Sequence, residues 1–289
     1  MKNEYALITG ASSGIGLEIA KRLASDGYNL VLTARRAELL EDLAREITQS
    51  TGVEVASISK DLSDANAPQE IYDFCQSKQY KVSVLINNAG YGIKTSFHQT
   101  SIEDEEKFIR VLGTSVIMMT KLFIPNMINQ GGGKVMVVSS VASFAAPSAI
   151  QPLYGPIKTF MNRFSDCINI NYKHKGITST SVCPGFTVTG FHTASGVQEE
   201  MDRVPRFMVF SAERIANEGV DAMYAGKRLC VPTKTYKFLV FLLKNIPQSV
   251  FNLLGKSLAP GRYDRKSNFH HGTFEVLRSP CKRCRSTYK

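Results

Sequence analysis

A tyrosine and a lysine four residues apart, Tyr154 and Lys158 in the stretch PLYGPIK (152–158), form a candidate proton-donating pair. Four residues is about one helical turn, so on a helix the phenol and the ammonium share a face. A free phenol titrates near about 10, too high for easy proton exchange at neutral pH. A neighbouring ammonium favours the tyrosinate and lowers that value. Pro156 lies between the two, and proline suits a helix only in its opening turn. The bland alternative is a loop or helix face that carries both residues by chance.

A second constellation stands near the start. Thr9-Gly10-Ala11-Ser12-Ser13-Gly14-Ile15-Gly16 follows the first apolar run and opens an amphipathic one. Glycines at a strand–helix turn let the backbone approach a pyrophosphate, and the helix N-terminus offers free N–H groups. The next apolar run ends Leu32-Thr33-Ala34-Arg35-Arg36. Where a dinucleotide cofactor lacks the extra phosphate, an acid usually stands here to hold the ribose 2′-OH. Two guanidinium forks match a phosphate instead, so Arg35 and Arg36 point to NADP(H). Exposed helix-start charges are the alternative. Asp61 and Leu62 follow the third run and suit the adenine edge. Asn88, Ala89 and Gly90 follow the fourth and bring amides and small residues near the cofactor.

These residues need elements to position them. Short apolar runs at 5–9, 29–34, 54–57, 82–86, 134–139, 178–182 and 228–231 alternate with amphipathic ones at 15–25, 37–49, 66–77, 103–129, 154–174 and 212–225. Such alternation predicts parallel βαβ units with right-handed crossovers. The fold expected is α/β, a Rossmann-type doubly wound parallel sheet of about seven strands. One catalytic domain covers 1–232, followed by an apolar C-terminal segment (233–260) and a basic tail (261–289).

The motifs TGASSGIG (9–16), DL (61–62), NNAG (87–90), SS (139–140), YxxxK (154–158) and PGFTVT (184–189) occur in one order over about 230 residues. The chain thereby resembles the short-chain dehydrogenase/reductase family, in its branch of acyl, steroid and carbonyl reductases. The resemblance implies catalysis by Ser140, Tyr154 and Lys158. It implies a cofactor site drawn from Gly10, Ser12, Ser13, Gly14, Ile15, Gly16, Asn88, Ala89, Gly90, Tyr154 and Lys158, with a carboxamide clamp from Pro184, Gly185, Thr187 and Thr189. The family usually spaces its serine 13 residues before the tyrosine; Ser140 stands 14 before and Ser139 15, so Ser139 competes for the role. Residues 186–210 suit a substrate lid with Met201, Phe207 and Met208, although plain packing explains such residues equally. Two departures stand out: Arg110 occupies the position where the family usually has an asparagine supporting a proton relay, and Ile157 precedes the lysine.

The function expected is NADPH-dependent reduction of an apolar ketone or 3-oxoacyl carbonyl to an alcohol. The rivals are a non-catalytic NADP(H)-binding protein, disabled at Arg110, and an NAD-linked alcohol or steroid dehydrogenase. Composition narrows the partners. The net charge of +10 is concentrated in 261–289, where eight Lys or Arg face two acids, so the body gives no argument for nucleic acid. Six scattered cysteines are no disulfide framework, and the start shows no export signal; both fit a reducing, cytoplasmic setting. Cys281 and Cys284 have metal-like spacing but lack a second pair, and no metal is expected. The segment 236–254 contains Lys237, Lys244 and Pro247, too interrupted to span a membrane. Peripheral membrane contact and packing over the substrate mouth or another subunit stay open for it. By resemblance, the assembly expected is a homodimer or homotetramer.

Overall fold

The computed structural model describes residues 4–93, 95, 97–145, 152–188 and 205–245. Its sheet takes seven parallel strands: β1 (Tyr5–Thr9), β2 (Asn29–Ala34), β3 (Val55–Ser59), β4 (Val82–Asn87), β5 (Gly133–Val138), β6 (Ile177–Val182) and, last in sequence, β9 (Leu229–Cys230). They lie in the order β3-β2-β1-β4-β5-β6-β9. The sheet therefore grows outward in both directions from the β1/β4 junction. In such sheets the crevice above that junction, at the C-terminal strand ends, is where ligands bind. The predicted strands recur with ends shifted by one or two residues.

Helices cover both faces. On one, α1 (Gly14–Ser25), α2 (Ala37–Thr51) and α7 (Ala212–Tyr224) bury Ile19, Leu23, Leu40, Ile47, Val220 and Met223 against Ile8, Leu30, Leu32 and Met136 of the strands. On the other, α3 (Ala67–Ser77), α4 (Ile102–Ile109), α5 (Ser115–Asn129) and α6 (Tyr154–Tyr172) bury Ile71, Phe108, Phe123 and Met161 against Leu7, Leu85 and Val135. Successive strand residues point to opposite faces, which is why both faces are apolar and the strands read as continuous apolar runs. Polar ties join α1 to α7: Arg22 bonds Asp221 at 2.8 Å and Asn217 at 3.1 Å, and the Tyr224 hydroxyl donates to Asp26 at 2.8 Å.

Two features depart from the predicted pattern. The single helix expected over 103–129 is broken by a π-helical turn, Arg110–Thr114, in which the Ser115 N–H reaches back five residues to the Arg110 carbonyl. A π-turn widens a helix locally and is common near functional sites. By length and composition, the whole stretch Ile102–Asn129 is apolar enough to cross a membrane, yet 56% of its most apolar window is buried inside the protein. Second, a separate ribbon pairs β7 (Thr187–Val188) with β8 (Phe210–Ser211). The described part of the apolar C-terminal segment forms α8 (Lys234–Asn245). Residues 246–260 of that segment and the basic tail lie outside the described residues.

Candidate active site

The glycine turn sits at the C-terminal end of β1. Gly10 has φ +67°, a left-handed conformation that favours glycine. The added Cβ of an alanine at Gly16 would stand 2.4 Å from the Gly10 carbonyl oxygen and the Asn88 amide nitrogen, so the turn is packed to its limit. Asn88 fastens it to β4: its side-chain amide donates to the Thr9 and Gly10 carbonyls at 2.9 and 3.1 Å. The Thr9 hydroxyl accepts from the Asn88 and Ala89 N–H groups, both at 3.0 Å. Ser13 caps α1 in extended conformation without a side-chain bond, and no acid stands in the first turn. The positive end of that helix is left for an anion.

Arg36 closes over the same turn, its guanidinium 3.3 Å from the Ser12 hydroxyl and 3.4 Å from that of Ser13. Arg35 is exposed beside it. Arg35 and Asp61 both act on the Tyr91 phenol: burial raises its pKa, the Arg35 charge opposes, and Asp61 adds to the rise. The Leu62 side chain turns into the core, 7% exposed, which leaves only its backbone for a ligand.

The catalytic candidates meet across the ends of β5 and α6. Tyr154 and Pro156 are the first and third residues of α6, so the proline falls in the opening turn, where N–H groups have no helical acceptor. Lys158, one turn on, is buried, with its Nζ 5.6 Å from the centroid of the Tyr154 ring and donating to the Val138 carbonyl at 2.8 Å. Phe108 packs on the other side of the tyrosine, centroid to centroid 6.5 Å.

The two serines separate. Ser139 is buried and donates to the Lys158 carbonyl at 3.0 Å, which ties β5 to α6. Ser140 caps the 3₁₀ turn Val141–Ser143, accepts from the Ala142 N–H at 3.1 Å and forms a side-chain hydrogen bond to Tyr154. That turn is held on α6, where Asn162 donates to the Ser143 hydroxyl at 2.7 Å and Thr159 to its carbonyl at 3.0 Å. Ser140, not Ser139, faces the phenol.

The electrostatics differ from the sequence expectation. Among the protein's own groups, burial raises the Tyr154 pKa, and only the Ser140 bond pulls it back. Lys158 has itself been lowered to about 8 by burial, with Cys183 opposing. Lys158 is not among the groups that pull the Tyr154 value down. Cys183 is fully buried beside it; its thiol donates to Asn162 Oδ1 at 3.5 Å.

Past β6, the chain runs through Pro184, Gly185 and Thr187, whose hydroxyl donates to the Gly185 carbonyl at 3.0 Å. Thr189 and Met201 lie outside the described residues, and Phe207 is exposed. Arg110 opens the π-turn, and among the described residues its guanidinium makes no hydrogen bond or ion pair. The turn's Gly113 faces Ile157, the residue before Lys158. Sequence reasoning missed Asn162; its contact with the Ser140 turn crosses 19 residues, and no local spacing marks it.

Comparison with known proteins bears on the family of the chain. The family model described as short chain dehydrogenase matches residues 4–200. The very-long-chain 3-oxoacyl-CoA reductase of Anas platyrhynchos is 30% identical over 260 residues, covering 88% of this chain and 79% of that protein. Its Homo sapiens counterpart is 31% identical over 192 residues, and the match spans 64% of this chain and 60% of that protein's length. A short-chain dehydrogenase from Sphingobium yanoikuyae, solved in complex with NADPH, superposes with a TM-score of 0.73 at 25% identity, covering 85% of this chain and 97% of that one. The chain belongs to the short-chain dehydrogenase family.

Proposed function

We propose that this chain reduces the carbonyl of an apolar ketone or a 3-oxoacyl substrate to an alcohol, with NADPH as its cofactor. The observation that carries the reading is the meeting of Ser140, Tyr154 and Lys158 at the strand ends beside the glycine turn. The residues present fit the cofactor: an acid-free helix N-terminus for the pyrophosphate, Arg35 and Arg36 for the extra phosphate, and the Pro184–Thr187 backbone for the carboxamide. NADPH, when bound, supplies the hydride that adds to the carbonyl carbon. Tyr154 gives its proton to the carbonyl oxygen as charge grows there, and Ser140 orients that oxygen by hydrogen bonding. Lys158, an ammonium below about pH 8, stabilises the tyrosinate left behind and would hold the cofactor's ribose. The names of the relatives, 3-oxoacyl-CoA reductases, support the acyl substrate class.

The test is NADPH consumption by the purified chain with ketones and 3-oxoacyl thioesters of graded length. Turnover that rises with apolar length supports the reading; NADPH that binds but is never consumed supports the non-catalytic rival. Arg35→Ala is expected to weaken NADPH binding by about 10- to 100-fold while NADH is unaffected, since one charge-assisted contact to phosphate is lost. Equal losses for the two cofactors reject the phosphate assignment.

We also propose a homodimer or homotetramer built on α4, α5 and α6, whose outer faces expose Ile102, Ile109, Phe160 and Ile170. Light scattering of Phe160→Glu checks it, with a smaller assembly expected. The outward face of α8 exposes Phe238 and Phe241 beside Lys234 and Lys237, and the helix contains no acid, a composition suited to an anionic membrane surface. Co-sedimentation with anionic vesicles should be lost in Phe238→Ser/Phe241→Ser.

A further inference from the structure

We infer that Tyr236 on α8 is a positioning residue for hydride delivery, holding the backbone at 185–187 against the returning chain at Met208; this rests on the reductase reading above. Tyr236 is 1% exposed, although it belongs to a segment otherwise remote from the motifs. Its hydroxyl accepts from the Phe186 N–H at 3.0 Å and donates to the Met208 carbonyl at 2.9 Å. One phenol thus bridges the chain that leaves β6 and the chain that re-enters at β8. Its ring lies flat on Gly185, where an added Cβ would stand 1.9 Å from the ring carbon bearing that hydroxyl, so only glycine at 185 lets the ring seat. Phe210 meets the ring edge-on at 5.9 Å, and its N–H donates to the Phe186 carbonyl at 3.1 Å.

The helix that carries Tyr236 is aimed by its own start. Thr233 is 1% exposed and holds a left-handed φ of +70°, strained for a β-branched residue. Its N–H donates to Glu218 of α7 at 2.9 Å, and its hydroxyl accepts from the Tyr236 N–H at 3.4 Å. At the other end of α8 the Lys244 ammonium stands 4.6 Å from the centroid of the Phe144 ring, just past the Ser140 turn. The helix therefore reaches from the carboxamide backbone to the serine turn. A phenylalanine at 236 would fill the same space. The hydroxyl is needed because it is the group that joins the Phe186 N–H to the Met208 carbonyl.

Tyr236→Phe tests this in the full chain, with Asn245→Ser at the exposed end of the same helix as control. The NADPH dissociation constant is expected to stay within about threefold, because most binding energy lies at the phosphate end. The rate constant kcat should fall between about 10- and 100-fold through misplacement of the ring. The isotope effect with 4-deuterated NADPH should rise, and bound nicotinamide emission should shift toward that of the free cofactor. The control should match wild type. Unchanged kcat and emission in Tyr236→Phe, or equal losses in the control, overturn the inference. If wild type consumes NADPH with no carbonyl, the reductase reading fails, while the emission comparison still decides the role of Tyr236. Should Tyr236→Phe not fold, amide exchange at Phe186 in wild type substitutes: slow exchange supports the bridge, and exchange at the rate of an open loop refutes it.

Discussion

Tyr154→Phe should leave NADPH binding and thermal stability near wild type and lower carbonyl reduction by about 10²- to 10⁴-fold. The prediction follows from how the residue is held. Its ring packs against Phe108 at 6.5 Å and beneath the Lys158 ammonium at 5.6 Å, contacts a phenylalanine keeps. What disappears is the oxygen, together with the Ser140 bond that stabilises its ionised form. A hydride arriving at a carbonyl with no proton donor leaves an alkoxide that nothing but Ser140 and water can meet. Steady-state rates with the best carbonyl substrate, beside a melting curve, measure the separation. A loss below about threefold with the fold intact would remove Tyr154 from the chemistry.

Lys158→Met should cost activity and strengthen the fold at once. In the folded protein, burial takes the lysine from 10.5 to about 8, a drop worth roughly 3 kcal/mol in favour of the neutral form. The sign follows from linkage. The folded value lies below the unfolded one, so the penalty of a buried ammonium is present in full below about pH 8. It fades as the pH climbs toward 10.5. Methionine fills the volume without the charge but strips the Val138 carbonyl of its 2.8 Å donor, a loss of about 1 kcal/mol. A net gain of about 2 kcal/mol at pH 7, vanishing by pH 10, is expected from urea unfolding, with reduction down at least about 100-fold. A variant less stable than wild type at pH 7, or a difference indifferent to pH, contradicts the account.

Much of the frame was legible because its signals are local. The strand–turn–helix context of the glycine turn, the apolar runs and the opening-turn proline each depend on a few adjacent residues. What stayed hidden depends on contacts across the chain. Spacing alone ranked Ser140 over Ser139 without deciding; the decision lies in which hydroxyl is consumed by the Lys158 carbonyl. The phenol was expected to be acidified by its lysine, because proximity is readable in a sequence and burial of both groups is not. The π-turn at Arg110 is a backbone event inside a stretch whose apolar pattern reads as one continuous helix. The apolar segment around Tyr236 was noted, but the bonds of its hydroxyl were not legible, since its partners are 50 and 28 residues away.

The pairing of α1 with α7 bears on how the protein is made. The cofactor helix is among the first segments to leave the ribosome, and the surface that covers it is translated about 195 residues later. Until then a nascent chain with a finished glycine turn leaves the face of α1 that packs on α7 open to chaperones and proteases. Truncation before Ala212 should therefore yield an aggregating product rather than a small nucleotide-binding module.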